Sequence, residues 1–285
     1  MEVAAINSNT FFSRYRRRKT AVIGLAIFII ELIIFFVLPL IIELDPNTIG
    51  RRGFNAPPSS ENILGTDPLG RDNLSRLIIG GRTSLTVGLC AVAISFCIGL
   101  VLGLLAGYYR GVWESIVMRL VDIFMSFPAM ILALCIVAVI GPSMGTVIFV
   151  IGIIDWTAFA KLVYGNVLRV RSLDYVEASR IYGSKSLRII FRDVLPNSIA
   201  PLWMLIAFRL SHAILVESGL SFLGAGVQAP QASWGNIISA AQSLVVLTYR
   251  PWIWIPPGIC IIITVIGINF IGEGIRDALD PKNQL

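Results

Sequence analysis

Charge is scarce in this chain. Only 14% of its 285 residues are Asp, Glu, Lys or Arg, while 56% are hydrophobic, a balance that excludes an ordinary soluble domain. Period-two alternation is missing too, which argues against a membrane barrel. There is one histidine, His212, and a lone His without a second ligand points only weakly to metal. The cysteines (Cys90, Cys97, Cys135 and Cys260) lie inside apolar runs without metal-ligand spacing, and read as small buried apolar side chains. No Gly-x-x-x-x-Gly-Lys-[Ser/Thr] loop occurs, so the chain is not expected to hydrolyse ATP. No acid–base pair, nucleophile triad or metal cluster is recognisable, and no cofactor is expected on this chain. The net charge of +6 does not imply nucleic acid, because most basic residues flank apolar runs, where they set topology.

What is present is a series of apolar runs near the ~20 residues needed to cross a bilayer. They predict an all-α polytopic membrane protein with six transmembrane helices, roughly Ala21–Leu44, Ser84–Tyr108, Ser115–Ile140, Gly145–Tyr164, Ser198–Phe222 and Trp252–Ile271. The basic cluster Arg14, Arg16, Arg17, Arg18 and Lys19 precedes a run too long for a signal-peptide core and without a small-x-small cleavage site, so the first span is read as uncleaved. The same cluster places the N-terminus in the cytoplasm, and six crossings return the C-terminus there. Three regions follow: residues 1–44, a basic tail and first helix; residues 45–83, an external segment; and residues 84–285, a five-helix core. Asp72 to Gly80 reads as a short interfacial helix. Tyr249, Trp252 and Trp254 read as an external aromatic belt.

Residues 169–197 form a polar island with an excess of basic residues. Asp174 is suited to cap a helix, and Glu177 three residues later completes a capping box. Gly183 is suited to the left-handed residue that ends that helix. A second short helix fits Ser184 to Arg192, and Pro196 suits the first turn of the next span. Glu177-Ala178-Ser179, then Gly183, then Leu195-Pro196 resembles the cytoplasmic coupling loop of ABC importer permeases, with Ser179 in place of a second Ala and Asp193 where an apolar residue is common.

Three further segments sharpen this resemblance. Leu64-Gly65-Thr66-Asp67-Pro68-Leu69-Gly70-Arg71-Asp72, continuing to Arg82, looks like the signature between the first two spans of the C-type permease subunit of the dipeptide, oligopeptide and nickel importers. The run from Glu217 to Gln228 with Ser233-Trp234-Gly235, and the C-terminal run from Gly274 to Pro281, fit the same subunit. The resemblance implies a type I ABC importer permease fold in a bacterial or archaeal cytoplasmic membrane. The partners it implies are a second homologous permease, two ATPases carrying ATP and Mg2+, an external substrate-binding protein and membrane lipid. It places ATPase coupling on Asp174, Tyr175, Glu177, Ala178, Ser179, Arg180, Gly183, Leu195 and Pro196. Arg180, Lys185 and Arg188 would meet either acidic groups of the ATPase or headgroups and solvent.

Charges inside the spans are the other candidates. Asp155, Arg209, His212 and Glu217 are unexpected in lipid, and such residues usually face protein or a water-filled path. Asp155, Arg209 and His212 either line the pathway, with Arg209 attracting a solute carboxylate, or form a structural lock such as Asp155 with Arg209. Glu217 belongs to a family motif and is expected to be a structural hydrogen-bonding group. The expected solute is a di- or oligopeptide, with nickel or a metal chelate as the alternative in the same family. An ion-coupled secondary transporter is the reading from another class; it predicts paired broken helices in internal repeats, and no convincing repeat is found.

Overall fold

A computed structural model of the chain describes residues 14–50 and 53–279. Arg51, Arg52, Asp280, Pro281 and Lys282 lie outside the described residues. Apart from one isolated bridge between Thr66 and Asp72, the described secondary structure is helical. Among the described residues, five helices are long and apolar enough to cross a membrane: α1 (Lys19–Ile41), α2 (Asn73–Tyr109), α5 (Met144–Arg171), α9 (Ala200–Phe222) and α12 (Pro251–Leu279).

The third expected span is not one straight helix. α3 (Val112–Ser126) and α4 (Ala129–Ile140) meet at a 91° bend. The cause is local: the ring of Pro128 pushes the residue before it out of the helical region, and Phe127 sits at φ −100, ψ 141. The interfacial helix expected at Asp72–Gly80 is likewise not separate. Asp72 caps α2 by accepting from the Ser75 amide at 2.8 Å and the Ser75 hydroxyl at 2.7 Å, and the helix then runs unbroken to Tyr109.

Small residues set the closest helix contacts. In lipid, where apolar side chains gain little by leaving the solvent, helices associate through close backbone approach. Gly99, Gly103 and Gly107 recur every fourth residue on α2, on one face. A Cβ at Gly99 would lie 2.4 Å from the Phe159 Cβ and 2.6 Å from the Trp156 carbonyl, and one at Gly103 would lie 2.7 Å from the Ala160 carbonyl. α5 therefore lies directly against the α2 backbone and forms the centre of the bundle.

α1 and α12 make a second such seam. A Cβ on Gly24 would meet the Gly267 carbonyl at 2.5 Å, and one on Gly274 would meet the Ala21 Cβ at 2.3 Å. The Thr264 hydroxyl lies 2.7 Å from Glu31 Oε1 and 2.8 Å from the Cys260 carbonyl, and Arg18 pairs with Asp277 near the other end. Thr264→Val keeps the shape of the seam and removes its polar link. The expected loss is about 1 kcal/mol, the scale of interhelical hydrogen bonds in membranes, measured as a lower unfolding midpoint in detergent. An unchanged midpoint would show that the Glu31–Thr264 contact adds nothing to the seam.

Among the described residues, two π-helical turns interrupt the helices, Ile33–Val37 in α1 and Ile190–Val194 after the short helix α7 (Ser186–Ile189). Each ends two residues before a proline, Pro39 and Pro196. A proline ring inside a helix clashes with the carbonyl four residues earlier, and a widened turn makes room for it. The cysteines depart from expectation: Cys90, Cys97 and Cys135 lie on the exposed surface of the protomer and Cys260 is half-buried. An apolar exterior facing lipid accounts for them as well as a core would.

Candidate functional site

The polar island folds into a compact loop at one end of the bundle, built on α6 (Asp174–Ile181). Asp174 is the first helical residue rather than the cap. The cap position is Leu173, which makes no side-chain bond, so the capping box does not form. Asp174 and Glu177 both lie in the first turn, where negative charge meets the positive end of the helix dipole. The end of α6 follows expectation. Gly183 has φ +75; its amide donates to the Arg180 carbonyl at 3.0 Å, and the Ser184 amide donates to the Ser179 carbonyl at 3.1 Å. That pair of bonds is a Schellman ending, which needs a left-handed residue at this point.

The expected helix Ser184–Arg192 is shorter, since α7 passes into the second π turn at Ile190. Leu195 and Pro196 belong to a separate turn, α8 (Leu195–Ser198), and the next span starts at Ala200. Pro196 thus shapes the approach to α9 rather than its first turn. The Asn197 side-chain amide donates to the Asp193 carbonyl at 2.7 Å. Val194, the neighbour of Asp193, supplies the buried apolar contact that Asp193 lacks.

The loop has two apolar faces. Val176, Ile189, Ile190 and Val194 are buried in the main core and hold it rigidly. Ile181, Tyr182, Leu187 and Phe191 point outward, with Ile181 80% and Tyr182 88% exposed. Glu177 and Tyr175 are also exposed, and Ala178 and Ser179 are half-buried. Although Tyr175 is exposed as a whole, partial desolvation of its phenol, with the nearby Asp193 charge adding to it, raises that group above its usual range. Arg180 lies over the Tyr108 ring, 5.7 Å from its centroid, which ties the loop to the end of α2. Lys185 and Arg188 are exposed.

The charges within the spans separate into two groups. Asp155 on α5 is buried and holds two side chains of α9: Arg209 Nη1 lies at 3.3 Å from Oδ1, and His212 Nδ1 at 3.0 Å from Oδ2. The three residues expected to act together do meet. Glu217 is not among them.

Glu217 is completely buried and ends two chains of donors. The Trp234 amide donates to the Ser84 hydroxyl at 3.2 Å, which donates to Glu217 Oε2 at 2.8 Å. The Asn236 amide donates to the Ser233 hydroxyl at 3.2 Å; that hydroxyl donates to Ser221 at 3.3 Å, and Ser221 to Glu217 Oε1 at 2.8 Å. The side chain therefore clamps α2, α9 and the short helix α10 (Trp234–Ile238), which α11 (Leu244–Tyr249) follows before α12. The Trp234 indole N–H adds a bond to the Leu77 carbonyl at 3.2 Å. Ser84 was the partner sequence reasoning missed; it lies in the Gly81-Arg82-Thr83-Ser84 run, but nothing in the spacing marks it as facing Glu217. At the same end of the bundle, a cavity of about 400 Å3 opens between Asn47, Arg82, Met144 and Gln231.

Comparison with known proteins places this geometry. Residues 99–284, more than half of the chain, match the family described as binding-protein-dependent transport system inner membrane component. Residues 9–58 match the N-terminal TM domain of oligopeptide transport permease C, which extends the likeness into a stretch where no motif was visible. The glutathione transport system permease protein GsiD of Pectobacterium atrosepticum is 38% identical over 273 residues, 95% of this chain and 90% of that protein. A putative peptide transport system permease protein of Brucella suis is 39% identical over 269 residues, 94% and 90% of the two chains. Among solved structures, a chain of the MetNI methionine ABC transporter in inward-facing conformations superposes with TM-score 0.58 at 19% identity, covering 72% of this chain and 97% of that one; this likeness speaks for the fold alone. With its apolar helices and matches along nearly its whole length, the chain is an integral membrane protein of the binding-protein-dependent transport system inner membrane component family, of the peptide-permease type.

Proposed function

We propose that this chain is one of two permease subunits of an ATP-driven importer of peptides or peptide-like solutes, and that it takes its energy from separate ATPases through the loop at residues 169–197. One observation carries the coupling role. A loop anchored rigidly by Val176, Ile189 and Val194 turns Ile181, Tyr182, Leu187 and Phe191 outward, and such an apolar patch next to exposed Glu177 is suited to a protein groove. Asp174, Tyr175, Ala178, Ser179, Arg180 and Gly183 shape that surface, while Leu195 and Pro196 link it to α9.

In this reading the loop end is cytoplasmic, and both termini lie on that side. ATP and Mg2+ sit on the ATPases, an external binding protein delivers the solute at the opposite end, and a second permease completes the pathway. ATP-driven closure of the ATPases moves the loop, and its rigid attachment rocks α5 and α9 as bodies between the two access states. The names of the relatives, peptide and glutathione permeases, support a peptide-like solute over nickel. The division into residues 1–44, 45–83 and 84–285 follows the same reading.

Co-purification tests it. Changing Glu177→Ala and Gly183→Val together is expected to lower the ATPase recovered with the permease by at least about tenfold, equivalent to about 1.4 kcal/mol. Phe191→Asp is expected to do the same without touching the backbone. Full recovery in both variants would remove the loop from the docking surface.

A further inference from the structure

Arg209 and His212 present unused polar edges to a face of the protomer that lipid cannot cover cheaply. Both lie within α9, one turn apart, beside Asp155 within α5. Their side chains remain 29% and 42% exposed while Asp155 is buried. An arginine at such depth is costly against hydrocarbon, so this face is turned to water or protein.

The donors and acceptors on that face are defined. Arg209 uses Nη1 on Asp155, its only hydrogen bond among the described residues, and a guanidinium has five N–H groups in a planar fork. His212 Nδ1 faces the Asp155 carboxylate; the tautomer that donates there carries its lone pair on Nε2. One turn of helix thus displays the free donors of a guanidinium fork beside His212 Nε2. A peptide's last residue carries the complementary pair, a terminal carboxylate and the amide N–H of the same residue.

We propose that Arg209 and His212 form a binding site for the C-terminal residue of a peptide or peptide-like acid. The carboxylate lies against the free edge of Arg209 and the adjoining N–H donates to His212 Nε2. Asp155 is a positioning residue: its two oxygens fix both side chains. The site rests on the importer reading given above, with the carboxylate as the feature recognised in the membrane.

The test uses the complete transporter in nanodiscs without its binding protein, with trialanine and trialanine amide as probes. The wild type is expected to bind trialanine about tenfold more tightly than the amide, a difference of about 1.4 kcal/mol. Arg209→Gln is expected to erase that preference while the complex still assembles. Asp155→Asn is expected to reduce it, and His212→Phe to weaken both probes alike. Equal binding of the two probes by the wild type, binding of neither, or a preference that survives Arg209→Gln overturns the site. Failure of the complex to assemble in both Arg209→Gln and Arg209→Lys identifies the trio as a lock between α5 and α9 and overturns it as well. ATP-driven uptake by the wild-type complex with its binding protein is measured separately. Uptake without a carboxylate preference removes this site only; absence of uptake removes the importer reading.

Discussion

Gly99→Leu is expected to prevent accumulation of folded protein. The first atom of any side chain at this position would sit 2.4 Å from the Phe159 Cβ, 2.6 Å from the Trp156 carbonyl and 2.9 Å from the Ala160 amide nitrogen. Two of these three are backbone atoms of a helix, which cannot turn aside as a flexible side chain does. α2 and α5 must then separate along a seam that holds the centre of the bundle, with the loss of the contacts around Phe159 and Val163. Overpacking a core costs about 1–3 kcal/mol where neighbours can adjust, and here the upper end or more is expected. Gly165→Ala on α5 is the control. It has open space around it and replaces the flexible residue of a helix with the best helix former, so it is expected to be neutral or stabilising by up to about 1 kcal/mol. Fluorescence-detected size-exclusion before and after heating distinguishes the two. A monodisperse Gly99→Leu protein with an unchanged midpoint would contradict the seam.

Glu217→Ala carries the second large effect. Two donor chains end on this carboxylate, and its removal leaves the hydroxyls of Ser84 and Ser221 without their acceptor inside a sealed site. A buried donor left unpaired costs about 1–3 kcal/mol, and a cavity is added. The expected loss is about 3 kcal/mol or more, with α10 released from α2 and α9. Glu217→Gln keeps the shape and an accepting oxygen but brings an N–H2 against hydroxyls already directed inward, so about half of that loss is expected. If Glu217→Ala melts with the wild type while Glu217→Gln does also, the clamp contributes nothing and Glu217 becomes available for a role in transport.

Much of this architecture was legible in the residues. Run length and the shortage of charge were enough for the helical membrane class, because a bilayer requires long apolar helices whatever the packing between them. Gly183 was readable because a left-handed turn at a helix end has few solutions. The capping box at Asp174 failed for a converse reason. Its spacing is satisfied equally by a helix that starts one residue earlier, and Leu173 took the cap position. The bend at Phe127–Pro128 was signalled by the proline alone, but hydrophobicity continues straight through it, so composition merges what geometry divides. The meeting of Asp155 with Arg209 and His212 joins positions 54 and 57 residues apart. Depth in the span suggested it, while facing direction required the bundle. Ser84 and Glu217 are separated by 133 residues, and nothing local links them.

The clasp between α1 and α12 bears on how the protein is made. These helices are the first and last of the five long helices, so the seam of Gly24, Glu31, Thr264 and Gly267 cannot close until α12 has been made. Before that, Glu31 on α1 lacks the Thr264 hydroxyl. α1 is the most hydrophobic and least buried of the five long helices, which suits a segment that must persist alone in lipid. Closing the seam therefore follows the arrival of α12, and a chain stopped before Thr264 would leave the Glu31 carboxyl without its hydroxyl partner.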